Sequence, residues 1–165
     1  DWDSVSNLLD TSVQLLQFDG IKFYIFIGAD VPLIPMIGSV KLYDTIRKNK
    51  EKNGVIILIN NEKNKGIHFS FRGTSDKIHL GKICGNIAKR IVEKMGHKDE
   101  ITGGGHPVAA ECKIRRPEIS LSTALSYLFN YLKEMEEYAE RYESKSLSEK
   151  DKLNAVELGL DYMKN

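Results

Sequence analysis

The run Ile67-His68-Phe69-Ser70-Phe71-Arg72 alternates apolar and polar residues without a break. In an extended chain successive side chains point to opposite faces, so Ile67, Phe69 and Phe71 line one face and His68, Ser70 and Arg72 the other. The run predicts a half-buried strand. Just upstream, Val55-Ile56-Ile57-Leu58-Ile59 is wholly aliphatic and mostly β-branched, a second strand signal. The polar stretch Asn60–Gly66 between them reads as a hairpin loop, which makes the two strands an antiparallel pair.

Working outward, Ile21–Ile27 and Val108–Ile114 add two further strands. Pro32 and Pro35 keep Gly28–Pro35 out of any regular helix interior. Helical spacing recurs in four places. Residues 3–17 carry Val5, Leu8, Leu9, Val13, Leu15 and Leu16 and stop at Asp19-Gly20. Ile37–Arg47 offers Val40 with Tyr43, or Leu42 with Ile46, as its inward pair. Residues 78–95 carry Ile78, Ile83, Ile87, Ile91 and Met95, and residues 121–141 carry Leu121, Leu125, Leu128, Leu132 and Met135. Ser146 with Glu149 resembles a capping box, opening a last helix through Leu153, Val156, Leu160 and Met163. This order predicts an α/β domain with a mixed sheet. The expected division is an N-terminal helix or linker over 1–19, an α/β domain over 20–117 and a C-terminal helical extension over 118–165.

With 165 residues, 41% hydrophobic and 28% charged, the chain has the composition of a soluble globule. No apolar run approaches the roughly 20 residues of a membrane span. Cys84 and Cys112 are too few for a disulfide scaffold and too far apart for a Cys-x-x-Cys motif, which points to a reducing, cytoplasmic setting. The net charge of +1 excludes a uniformly basic nucleic-acid binder, but it conceals a pattern. Residues 61–117 hold 12 basic and 6 acidic groups, a net of +6, and residues 118–165 hold 6 basic and 10 acidic groups, a net of −4. An anionic ligand near the middle of the chain is one reading; an unevenly charged solvated surface is the other.

Two motifs fall inside the basic middle. Thr102-Gly103-Gly104-Gly105-His106-Pro107-Val108-Ala109-Ala110 reads as a turn. Consecutive glycines bring backbone close to a ligand and can present amides to a phosphate, and His106 supplies a hydrogen-bonding imidazole beside a proline. Ser70-Phe71-Arg72-Gly73-Thr74 places Ser70 and Arg72 on one strand face, where a guanidinium can fork onto a phosphate, with Gly73 and Thr74 extending the polar edge. Neither a P-loop nor a dinucleotide fingerprint is present. His68, His79, His97 and His106 lack the spacing of a metal-ligand set, and no nucleophile elbow exists. His68, His79 and His97 read as surface or strand-face groups.

Together the two motifs resemble the DHH-associated C-terminal domain of the DHH phosphoesterase superfamily, with an Arg strand and a Gly-Gly-Gly-His-x-x-Ala-Ala-Gly segment, nearest to the archaeal RecJ-like branch. The resemblance covers residues 20–117 and implies a mixed-sheet domain in which Ser70, Arg72, Gly73, Thr74, Gly103, Gly104, Gly105 and His106 bind nucleic-acid phosphate. It implies no catalytic and no metal-binding residue in this chain. Manganese or magnesium would enter only through an upstream DHH domain, whose Asp-His-His triplet is not found here. Glu111 stands where the family has glycine; a carboxylate beside an anion site repels phosphate unless it points away or pairs with Arg115 or Arg116.

Three functions follow as expectations. The first is a non-catalytic, RecJ-like single-stranded-DNA-binding and scaffold domain of an archaeal replication complex, with GINS and MCM as partners and no membrane. The second is the substrate-binding half of a metal-dependent exonuclease or small-nucleotide phosphodiesterase. The third is a purely structural interaction module.

Overall fold

A computed structural model describes residues 12–31 and 37–164. The elements in chain order are β1 (Ser12–Phe18), β2 (Ile21–Ala29), α1 (Ile37–Asn49), β3 (Gly54–Glu62), β4 (Gly66–Gly73), α2 (Leu80–Met95), β5 (Ile101–His106), β6 (Ala109–Ile114), α3 (Leu121–Glu143), α4 (Glu149–Leu158) and a 3-10 turn over Asp161–Lys164. The strands form one sheet in the order β1-β2-β3-β4-β6-β5. β2 and β3 run parallel, joined through α1, and every other neighbouring pair is antiparallel. The mixed α/β sheet expected from the sequence is the one observed.

The central strands form because their sequences have no polar residue to place on the core face. On one side of the sheet, Val55, Ile57, Phe69, Phe71, Ala110, Cys112 and Ile114 share a core with Ile83, Ile87 and Ile91 of α2. Each fully buried isoleucine there contributes about 1.5–3 kcal/mol relative to exposure. α3 and α4 join this same core through Leu128, Tyr131, Leu132, Met135 and Ala155. Tyr131 donates its hydroxyl to the Leu158 carbonyl at 2.6 Å and accepts from Asn86 at 2.8 Å, tying α2, α3 and α4 together. On the other side, α1 closes a smaller cluster in which Leu42 and Ile46 meet Tyr24, Phe26, Ile56 and Leu58. Leu42 and Ile46 are thus the inward pair of α1, while Val40 and Tyr43 are exposed.

Three sequence expectations fail for identifiable reasons. Residues 12–17 are strand, not helix, and 3–11 lie outside the described residues, as does the stretch from Pro32 to Pro35. The register of β1 shifts between Gln14 and Leu16. Such an irregularity lets Leu15 and Leu16 both pack on the core, which breaks the alternation and imitates helical spacing. Asp19 and Gly20, with φ of 48° and 79°, form the two-residue hairpin turn that joins β1 to β2. The last helix is capped by Ser148, whose side chain accepts from the Asp151 amide, and not by Ser146. Leu153 of that helix faces solvent, whereas Leu160 and Met163 are buried. No described helix is long and apolar enough to cross a membrane.

Candidate nucleic-acid interface

Strand register determines which of the singled-out residues meet. Arg72 of β4 lies opposite Ala109 of β6, and Ala109 lies opposite His106 of β5. Paired residues share a face of the sheet. One pleat along, the row is Ser70, Glu111 and Gly104; the next is His68, Lys113 and Thr102. This is the face on which α1 sits, packed across β3 and the neighbouring β4. There a Cβ on Gly38 would stand 2.9 Å from Arg72 Cγ, so the first turn of α1 lies directly against the arginine stem. Beyond it, Thr102, His106 and Glu111 are exposed, and Ser70, Arg72, Gly104, Ala109 and Lys113 are half-buried. The result is a strip three strands wide, with Arg72 and His106 at one end, about 10 Å apart by strand spacing, and only the Ala109 methyl between them.

Arg72 donates from Nη1 to the Phe71 carbonyl at 3.0 Å. Among the described residues neither Arg72 nor His106 has a carboxylate partner, which leaves both available to an anion. The two motifs are locked to each other, because the Gly73 amide donates to the Val108 carbonyl at 2.9 Å. The far end of the strip opens into a concavity of about 320 Å³ lined by Lys65, His68, Glu111, Lys113 and Arg115 among others.

The glycine triplet is not a turn. It is the interior of edge strand β5, and the turn is Pro107-Val108. The reason is helix packing. A Cβ on Gly103 would run into the Cys84 carbonyl, and one on Gly81 into the Gly105 carbonyl, so α2 and β5 approach backbone to backbone. A Cβ on Gly104 meets nothing within 4 Å. Gly103 therefore serves the helix contact, Gly105 (φ 142°) leaves no room for a Cβ against Ala109 and Ala110 of β6, and Gly104 belongs to the strip. Gly73 also packs inward, where a Cβ would press on Val55 and Leu80. Thr74 is occupied as well: its hydroxyl donates to Asn53 at 2.9 Å and accepts from the Gly54 amide at 3.1 Å, fastening the start of β3.

Glu111 occupies the middle of the strip. Its Oε2 accepts from His68 Nε2 at 3.0 Å and its Oε1 from Lys113 at 3.1 Å. The expected partners are elsewhere: Arg116 pairs with Glu100 and Glu118, and Arg115 makes no ion pair among the described residues. Partial burial on its own would raise the Glu111 pKa. The hydrogen bonds and charges of His68 and Lys113 outweigh it and hold the carboxyl below the usual glutamate value. His68 and Lys113 were not singled out as site residues in the sequence. The signal that finds them is alternation, since Ala109, Glu111 and Lys113 fall on one face of β6 and His68 on the matching face of β4. His68 is buried, and its Nδ1 has no partner among the described residues. His79 is the N-cap of α2 and accepts from the Lys82 amide.

Burial pushes the Cys112 thiol up to about 12 and the Cys84 thiol well above its ordinary value, so neither supplies a thiolate near neutral pH. Among the described residues no group of three or more His, Cys, Asp or Glu side chains stands together to hold a metal ion.

A family model described as the DHHA1 domain matches residues 38–134. Among solved structures, one described as a DHH domain, a member of the s1p family of ribosomal proteins, superposes with a TM-score of 0.52 at 12% identity, over 79% of this chain and 30% of that chain. The C-Ala domain of Aquifex aeolicus alanyl-tRNA synthetase gives a TM-score of 0.45 at 16% identity, covering 72% of this chain and 96% of that one. The chain thus spans under a third of the length of the first structure, and likeness at these identities carries the fold alone. Comparison with curated protein sequences finds no match.

Proposed function

Because this chain belongs to the DHHA1 domain family, we propose that the open strip on β4, β6 and β5 binds the phosphate backbone of a single-stranded nucleic acid. One observation carries the reading. Ser70 and Arg72 of one motif and His106 of the other stand on one face of the sheet, and among the described residues neither Arg72 nor His106 is engaged by a carboxylate. The guanidinium offers a bidentate fork and the imidazole a third donor, while the Ala109 methyl leaves the floor between them open to a phosphate. The role of the strip is to bind and orient the strand.

In its narrower form the reading places this module in a RecJ-like scaffold of a replication complex, with GINS and MCM as protein partners and single-stranded DNA as ligand; co-purification from the native host tests that form. A second reading is favoured by the DHH-domain structure of which this chain spans only 30%. In it the strip is the substrate-holding half of a metal-dependent exonuclease or phosphodiesterase, with the metal held by a separate domain. An adjoining coding region without metal ligands would exclude it.

The shared core of both is tested by fluorescence anisotropy with a labelled single strand of about twenty nucleotides over a range of salt. Affinity should fall as salt rises. Arg72→Ala should weaken binding roughly tenfold and flatten the salt slope by about 0.7, as expected for one lost phosphate contact. Thermal stability should fall by about 1 kcal/mol, from the lost bond to the Phe71 carbonyl and the lost packing of the arginine stem on Gly38, which leaves the variant folded for the binding measurement. Salt-independent binding, or an unchanged slope in the variant, removes the proposal.

A further inference from the structure

Glu111 is not explained by phosphate binding. A carboxylate in the middle of an anion-binding strip works against the ligand, yet both of its oxygens are anchored, by His68 at 3.0 Å and by Lys113 at 3.1 Å, and its side chain remains 49% exposed. We propose that Glu111 determines sugar specificity: it accepts a hydrogen bond from a ribose 2′-hydroxyl, so the strip takes RNA in preference to DNA. The inference rests on the nucleic-acid reading above and deepens it.

The donor capacity of the ligand follows from the state of the carboxyl. His68 and Lys113 hold it ionised, so it accepts only. Its two oxygens offer about four lone-pair positions, of which the two anchors use one each, leaving room for an incoming donor. A phosphate oxygen and a deoxyribose carbon donate nothing. A ribose 2′-hydroxyl does, and it is the group by which proteins tell RNA from DNA.

Placement supports the same assignment. The row of Ser70, Glu111 and Gly104 lies one pleat, about 7 Å, from the row of Arg72, Ala109 and His106. A nucleotide whose phosphate is held by Arg72 and His106 therefore sets its own or the neighbouring sugar near Glu111. Gly104 beside it adds no side chain, and a Cβ there would meet nothing, so the space toward the sheet edge is clear. The strip carries no Phe, Tyr or Trp on which a base could stack. Bases are then not held face-down on it, and the sugar-phosphate side is the one presented to Glu111.

The test uses the whole chain and four unstructured oligonucleotides of equal length: oligouridine RNA, the matching DNA, 2′-fluoro RNA and oligocytidine RNA. Wild-type protein should bind RNA about tenfold more tightly than DNA. The 2′-fluoro strand keeps the ribose pucker but has lost the donor, and it should fall to the DNA level. Glu111→Ala, which removes the acceptor together with the charge, should close the gap between RNA and DNA, because only RNA loses a hydrogen bond while both strands are relieved of the repulsion. Cytidine and uridine strands should bind alike. Equal RNA and DNA affinity, full binding of the 2′-fluoro strand, or an RNA preference that survives Glu111→Ala overturns the proposal. A cytidine preference overturns it in favour of a base amine. Those outcomes leave the backbone-binding reading intact, because Arg72→Ala would still lower the affinity for every strand; absence of salt-dependent binding to all four fails both.

Discussion

On one face of the sheet Phe69, Phe71 and Cys112 lie under α2 with no exposed surface, whereas on the other Arg72 is half-buried and Glu111 and His106 are exposed. The same three strands build both faces, and the alternation of side chains keeps them apart. The covered face is closed by contacts between backbones as well as side chains: Gly81 and Gly103 exist so that α2 can lie on β5. The open face holds charged groups whose partners are few and local. The difference separates stability from function by strand parity. Changes on the covered face should unfold the protein without altering what it binds, and changes on the open face should do the reverse.

The sharpest way to break that division is Gly103→Val. The new side chain would start against the Cys84 carbonyl, a backbone atom that cannot swing aside, so α2 must lift from β5. Overpacking of this kind costs about 3 kcal/mol, or a fall in Tm of roughly 6–12 °C for a chain of this size. Circular dichroism melting reads it directly. An unchanged melt would mean that α2 does not rest on the glycine strand. A smaller effect is expected at Tyr131→Phe, which removes the hydroxyl shared by Leu158 and Asn86 while keeping the ring. The loss should be about 1 kcal/mol, or roughly 2–4 °C in Tm. Oligonucleotide affinity should stay at the wild-type value, and a change there would show that the covered face communicates with the strip.

Legibility in the sequence followed the same parity. Ile67–Arg72 could be split residue by residue into core and open face, because unbroken alternation has only one extended reading. The parallel reading of Ala109, Glu111 and Lys113 was available by the same logic, but it identifies partners only once β6 is known to lie beside β4. Glu111 therefore stood out as an anomaly, while His68 and Lys113 did not. The glycine triplet was misleading for a different reason. Glycine marks turns, bulges and close backbone approach alike, and nothing within Gly103–Gly105 says which. The distinguishing signal was remote: Gly81 and Gly85 lie one turn apart on α2, the helix face that a glycine strand would match. β1 was misread because a register shift puts Leu15 and Leu16 together on the core side, and a doublet of leucines fits a helix better than an ideal strand.

The smallest expected effect sharpens the comparison on the open face. Glu111 has a folded-state pKa below the ordinary glutamate value, because the pull of His68 and Lys113 exceeds the opposing effect of partial burial. A depressed carboxylate pKa stabilises the fold above the unfolded-state pKa, and that contribution is lost as pH falls through the folded-state value. With a side chain 49% exposed, solvent screening limits it to a few tenths of a kcal/mol. Other acids with lowered pKa, such as Asp44 and Asp151, titrate in the same range, so the raw acid limb of a melting curve is uninformative. The difference between wild type and Glu111→Gln cancels them. That difference should be constant from neutral pH down to about 4.5, the ordinary value for the group, and should shrink below it. A difference that stays flat to pH 3 would mean that the carboxylate is not held by its two neighbours, and the open face would then carry an unrestrained negative charge where the strip needs an anchored one.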